Sequence, residues 1–260
     1  VEQMIALKPD LFIVNTSSRF SEKPLEAAKK LEEVGIPTLM LSMPKDPFSA
    51  PQEATKLLGK VFNKEERAEE ISDFLDKQFA LVSKKNLPDK AEKPTVYQEK
   101  GSGSKDEYDS TGIQDGWGSI IQYVGGDNIA VGHVGETSKI DPEYLITTDP
   151  NYIFVTGHLG YLTPAEAQES MDNTVGQYIQ RTGWDKLSAV QNKDVYTFFH
   201  DHARNYFTFY PTQKIAKILY PEEFQDLDPD ANLKEFYEKF MLLDYEDGVW
   251  FYKLGESLDE

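Results

Sequence analysis

From Asn63 to Lys84 the apolar residues Ala68, Ile71, Leu75, Phe79 and Val82 recur at spacings of 3, 4, 4 and 3, which draws a single stripe along a single helix. Asn63 with Glu66 reads as a capping box at its start, and Glu65 and Glu66 suit the positive end of the helix dipole. At 1.5 Å per residue, about 20 residues make a rod of roughly 30 Å, the width of a small domain. The rod ends before Pro88, in the charged stretch Lys84 to Lys93. Strand and helix signals alternate on both sides of it. In that position it reads as a rigid strut between two lobes, or else as an ordinary long surface helix.

Ahead of the helix, Lys8 to Asn15 reads as a buried strand, Glu22 to Val34 as a helix with Leu25, Ala28, Leu31 and Val34 on one stripe, and Ile36 to Leu41 as a second strand. The right-handed crossover rule makes these strands parallel and puts the polar turn Asn15 to Arg19 at the carboxyl end of the first. Ligands in open α/β sheets bind at that end. Behind the helix come strands at Thr95 to Gln98, Tyr152 to Thr156 and Lys193 to Phe199. Helices are expected at Trp117 to Val124, Asp141 to Thr147, Thr163 to Ser170, Trp184 to Val190, Pro211 to Tyr220 and Leu233 to Leu242. The fold class is α/β.

Charge removes several functions. Lys plus Arg number 27 against 45 Asp plus Glu, a formal net charge of −18. Such a chain lacks the cationic surface that drives non-specific nucleic-acid binding, and an anionic membrane repels it. Residues 221–260 hold 13 acids against three lysines, so −10 of the total sits in the tail, read as solvated helix face. There is no cysteine, hence no disulfide, zinc thiolate or cysteine nucleophile. No apolar run approaches the roughly 20 residues needed to cross a bilayer.

The four histidines fall between residues 133 and 202, and His158, His200 and His202 stand just beyond strand ends. Parallel neighbouring strands bring those ends to one rim, facing the Asn15 to Arg19 turn across an interlobe cleft. The expected ligand-binding wall is His158, Tyr161, His200, His202, Arg204 and Tyr206, with Tyr97, Trp117 and Arg19 added. Arginine grips carboxylates with a planar fork and aromatic rings stack on conjugated ligands, so the set suits a bulky anionic chelate. His133 reads as a solvated loop residue, and Phe207 and Phe209 as core. The Gly101 to Ser104 stretch lacks the Lys-Ser/Thr of a P-loop and reads as a loop at the cleft rim. Neither G-x-S-x-G nor H-E-x-x-H occurs, and nothing points to catalysis.

Six segments in order carry a family resemblance: Lys8-Pro9-Asp10-Leu11-Phe12-Ile13, the helix from Asn63 to Lys84, Gly125-Gly126-Asp127-Asn128, Ile140-Asp141-Pro142-Glu143-Tyr144-Leu145, Asp149-Pro150-Asn151-Tyr152-Ile153-Phe154, and Trp184-Asp185-Lys186-Leu187 running to Asp194-Val195-Tyr196. Together, over roughly residues 4 to 225, they resemble the metal-chelate substrate-binding proteins of ABC importers. These are class III periplasmic binding proteins, which carry ferric siderophores, heme or cobalamin. The resemblance implies two Rossmann-like lobes joined by a single long helix, with residues 1–62 as an N-terminal lobe, 63–86 as the strut, 87–225 as the C-terminal lobe and 226–260 as an acidic helix and tail. Family members carry further elements upstream of the Lys8 to Ile13 strand, so the N-terminal lobe is expected to be partial. A monomer outside the cytoplasm, periplasmic or lipid-anchored, is implied, with no intrinsic cofactor and with an ABC importer permease as its partner.

The family docks on the permease through a glutamate on each lobe. Glu22 or Glu26 stands at the matching helix start of the first lobe, whereas the second-lobe region His200 to Asn205 holds only Asp201 as an acid. The expected ligand is an iron chelate, a ferric siderophore ahead of heme, with cobalamin and molybdate left open. The alternatives are a free transition-metal-ion binder using His158, His200 and His202 directly, a metal-dependent hydrolase using His200-Asp201-His202, and a sensor or scaffold domain that kept the fold.

Overall fold

The computed structural model describes residues 1–15, 22–41, 46–101, 105–112, 116–134 and 138–258. They form two compact units, Val1–Leu75 and Asp76–Glu260. In the first, α1 (Glu2–Leu7) closes on Lys8 with a left-handed φ of 48°, so β1 (Phe12–Asn15) begins later than the sequence pattern suggests. α2 (Glu22–Glu33) buries Ala28 and Leu31. β2 (Thr38–Leu41) lies parallel to β1, with Phe12 opposite Thr38, as the crossover pattern requires.

Helix α3 (Ala50–Phe62) has no counterpart among the elements expected from periodicity, although Pro51 in its first turn is a sound start signal. It also corrects the role of Asn63. That residue is the left-handed stop of α3, with φ 52° and its N–H on the Gly59 carbonyl. A helix N-cap needs extended backbone, so at this φ Asn63 cannot cap the next helix. The long helix itself, α4 (Glu65–Ser83), runs 19 residues and buries Ala68, Leu75, Phe79 and Val82, as the stripe predicts. A Cβ on Gly59 would lie 2.5 Å from the Ala68 Cβ, so α3 and α4 meet where only glycine fits. The boundary between the two units falls inside α4.

The second unit is built on β3 (Thr95–Lys100), α5 (Gly116–Tyr123), β4 (Asp127–Asn128), α6 (Pro142–Thr148), β5 (Tyr152–Gly157), α7 (Pro164–Asn173), α8 (Val175–Tyr178), α9 (Ser188–Gln191), β6 (Val195–Phe199), α10 (Phe209–Leu219), α11 (Pro229–Phe240) and β7 (Phe251–Lys253). The sheet order is β4-β3-β5-β6-β7, parallel but for β7, which pairs antiparallel along β6. Tyr97, Ile153, Val155 and Val195 pack with Leu145, Leu159 and Trp184 into the main core. Asp141 caps α6 through the Glu143 N–H, and Thr163 caps α7 in a capping box with Glu166.

The acidic tail does more than solvate. Its helix α11 buries Leu233, Phe236 and Tyr237, and its last segment supplies the edge strand β7 and the buried Trp250. Charge counting misses this because the acids and the rings share one segment: Asp244, Glu246 and Asp247 face water while Trp250 and Tyr252 face the core.

Candidate functional site

Parallel pairing sets the carboxyl ends of β3, β5 and β6 side by side, with Lys100 opposite Thr156 and Gly157 opposite Phe199. A strand with neighbours on both sides and cover on both faces cannot leave polar side chains unpaired. β3 nevertheless carries Gln98 and Glu99 consecutively, both fully buried. Gln98 faces a hydrogen-bonded line across the strand ends. Its Nε2 donates to Thr156 Oγ1 at 3.0 Å, its Oε1 accepts from Thr111 Oγ1 at 2.6 Å, and Thr156 Oγ1 lies 3.0 Å from His200 Nδ1. Asn128 Nδ2 extends the line by donating to the Thr111 carbonyl at 2.8 Å. Thr156 Oγ1 also reaches the Glu99 carbonyl at 3.5 Å, so this one hydroxyl ties the Gln98 amide, the β3 main chain and the His200 imidazole together.

His200 opens a 3-10 turn, His200–Arg204, and its ring is half-buried. Trp117 supports it from the protein side, donating Nε1–H to the His200 carbonyl at 3.2 Å and packing on Phe198. Gly116 has to be glycine for this: a Cβ there would sit 2.5 Å from the Ala203 carbonyl oxygen, within the same turn. The imidazole, the turn and the start of α5 are thus one packed group.

The other expected wall residues separate. Tyr97 and Trp117 lie in the core, Tyr97 edge-on to Trp184 with ring centroids 6.5 Å apart. His202 is 1% exposed, stacked on Trp250 at 5.2 Å and enclosed by Phe199, Phe207 and Tyr210. Burial among these rings holds its imidazole down to about 3, and its Nδ1 has no hydrogen-bond partner among the described residues. Phe209 is fully buried and Phe207 packs on Tyr237. Tyr161, 46% exposed, meets Tyr237 by an OH···OH contact of 3.0 Å and stands edge-on to Trp250. His158 is exposed and lines an open depression of about 330 Å³ along α7 with Glu166, Glu169 and Ser170. His133, also exposed, stacks on Tyr144 at 3.9 Å.

Tyr206 is half-buried at the head of the turn Tyr206–Thr208, which Asn205 caps. Arg204 closes the 3-10 turn, and its side chain lies outside the described residues, as do Arg19 and most of the Gly101 to Ser104 stretch. Glu22, Glu26 and Asp201 are all exposed. The three histidines of the free-metal reading therefore go to three surroundings: the Thr156 line, the α7 depression and an aromatic cage. A ring caged at 1% exposure cannot join the other two around an ion, so neither direct metal reading is favoured.

Residues 1–200 match the family described as periplasmic binding protein. The chain belongs to that family. It resembles a TroA-like periplasmic binding protein, FepB, of Veillonella parvula, with 31% identity, a TM-score of 0.84 and coverage of 98% of this chain and 75% of that one. It is 22% identical to the molybdate-binding protein MolA of Haemophilus influenzae over 94% of this chain and 70% of the relative. It is 25% identical to the ABC transporter substrate-binding lipoprotein YvrC of Bacillus subtilis over 87% and 67%. The protein is an extracytoplasmic substrate-binding protein of an ABC importer, and not an enzyme. Among its described residues no helix is long and apolar enough to cross a membrane.

Sequence reasoning on this binding protein passed over Gln98, Thr111, Thr156 and the Glu99–Arg181 pair. The signal was present in β3: two long polar residues in succession inside a strand that must be covered on both faces.

Proposed function

We propose that this binding protein captures an oxygen-rich anionic metal chelate, a ferric siderophore ahead of heme, at the carboxyl rim of its second unit's sheet, and delivers it to the permease. The single observation that carries this is the half-buried His200 imidazole, anchored by Thr156 at the end of a line of neutral donors and acceptors within a substrate-binding fold. A pre-positioned polar edge holds an anion through hydrogen-bonding groups already fixed in place. Tyr206, Tyr161, Arg204 and His158 of the same unit are the further residues offered to the ligand. Glu22 or Glu26, with Asp201, are offered as the exposed carboxylates that meet the permease. A second reading, a bare oxyanion such as molybdate, is favoured by the likeness to MolA.

The test is a tryptophan-fluorescence titration with hemin, a panel of ferric siderophores, cobalamin, sodium molybdate and zinc chloride. Trp117 bonds directly to the His200 carbonyl, so it reports on this rim. Saturable quenching by one chelate, weakened by His200→Ala and by Arg204→Ala, is the expected result. Binding of zinc alone, or of none of the probes, would sink the proposal, and binding of molybdate alone would select the second reading.

A further inference from the structure

One residue along β3 from Gln98, on the other face of the strand, Glu99 accepts both arms of the Arg181 guanidinium, at 2.7 and 2.8 Å. Side-chain exposure is 0% for the carboxylate and 3% for the guanidinium. Burial pushes the Glu99 carboxyl up to about 7 against the pull of Arg181. The guanidinium is enclosed by the rings of Tyr178 at 3.9 Å, Tyr108 at 4.2 Å and Trp184 at 4.8 Å. Its remaining donors go to main chain: Nε to the Lys105 carbonyl and one terminal nitrogen to the Glu107 carbonyl at 2.8 Å. An ion pair buried this deeply adds little net stability over apolar side chains of the same volume. Stability alone therefore does not account for it, and its contacts indicate what does.

Lys105 and Glu107 belong to the segment that returns from the end of β3 toward α5. The same segment is held along its length, with the Lys100 N–H on the Asp109 carbonyl at 2.8 Å and the Ile140 N–H on the Tyr108 carbonyl at 3.0 Å. It finishes on the polar line, where Ser110 Oγ donates to the Gln98 carbonyl at 2.6 Å and Thr111 Oγ1 to Gln98 Oε1 at 2.6 Å. From there the contacts continue through Thr156 to His200. Lysine, with a single point charge, cannot bond a carboxylate in bidentate fashion and two diverging carbonyls at once, whereas the flat guanidinium fork does so here.

We propose that Arg181 is a positioning residue of the binding edge: through the Lys105 and Glu107 carbonyls it sets the course of residues 105–111, and through Thr111, Gln98 and Thr156 it sets the orientation of His200. Arg181 touches no ligand in this scheme. The proposal rests on the reading of the rim as the binding edge, but its test needs no ligand.

Two variants of the full chain carry the test. Arg181→Lys keeps a cation beside Glu99 while giving up the fork. The double variant Glu99→Gln/Arg181→Met removes both charges, so neither is left buried alone, and it stands in wherever a single substitution fails to fold. Amide hydrogen exchange over residues 105–111 is followed by mass spectrometry, with β5 as internal reference, and the histidine ring signals by NMR. The expected result in each folded variant is exchange about tenfold faster over 105–111, unchanged exchange in β5, and His200 ring signals displaced while those of His133 and His158 stay in place. A folded variant in which exchange over 105–111 stays as in the parent, or in which it rises while His200 does not move, overturns the proposal. Failure of the functional reading looks different: the unsubstituted protein binds none of the probes in the titration, a result neither readout touches.

Discussion

His202 makes the second unit sensitive to acid in a way that can be worked from its surroundings. The ring lies 1% exposed among Phe199, Phe207, Tyr210 and Trp250, and burial lowers it from an ordinary 6.5 to about 3. The native state keeps the imidazole neutral while the unfolded chain takes a proton as pH falls through 6.5. Stability from this residue is therefore complete above about pH 6.5, declines on the way down and levels off near pH 3. The full span corresponds to about 5 kcal/mol, of which about 3 kcal/mol is lost between pH 7.5 and 4.5. His202→Gln provides the comparison, since glutamine has similar volume and no charge at any of these pH values. Its unpaired amide lowers stability by an amount that does not vary with pH.

Trp117, Trp184 and Trp250 all lie in the second unit, so tryptophan emission during urea unfolding follows that unit alone. Subtracting the variant from the parent cancels every other titrating group, Glu99 included. The parent's advantage should shrink by about 3 kcal/mol from pH 7.5 to 4.5. A difference that stays flat within about 0.5 kcal/mol over that range would refute the reasoning, because burial would then not be what keeps the ring neutral.

The same contacts set three further outcomes. Thr156→Val is isosteric but strands the Gln98 amide, so it should destabilise the second unit by about 1–3 kcal/mol in urea and move the His200 ring signals. Gly116→Ala drives a methyl against the Ala203 carbonyl; a loss of about 1–3 kcal/mol, with a shifted Trp117 emission maximum, is expected, and an unchanged Tm would contradict the packing. Trp250→Ala opens the cage around His202, at about 3–5 kcal/mol, and in the folded remainder NMR titration should find the His202 pKa higher than in the parent.

Periodicity located most elements because helices and strands each bury a repeating face: the stripe from Ala68 to Val82 is α4, and the apolar runs before Asn15 and after Val195 are β1 and β6. The pattern erred where one residue serves two plausible roles. Asn63 fits a helix start by composition but is the stop of α3, since the choice depends on a backbone angle that sequence does not display. Strand-end placement put His158 after β5 and His200 after β6, and both stand there. It could not separate His200 from His202, two residues on, because a 3-10 turn sends one ring to the Thr156 hydroxyl and the other into an aromatic cage.

By itself, then, the sequence determined the α/β class, the parallel run of the strands it located, the long apolar-striped helix and the family, because these depend on hydrophobic repeats and on motifs read locally along the chain. Tertiary structure alone decided which polar residues are partners. Gln98, Thr111, Thr156 and His200 span 102 positions and meet only because parallel strands end side by side. Arg181 reaches Glu99 across 82. A buried polar group needs a partner wherever the chain can bring one, and no local pattern says which distant residue that is.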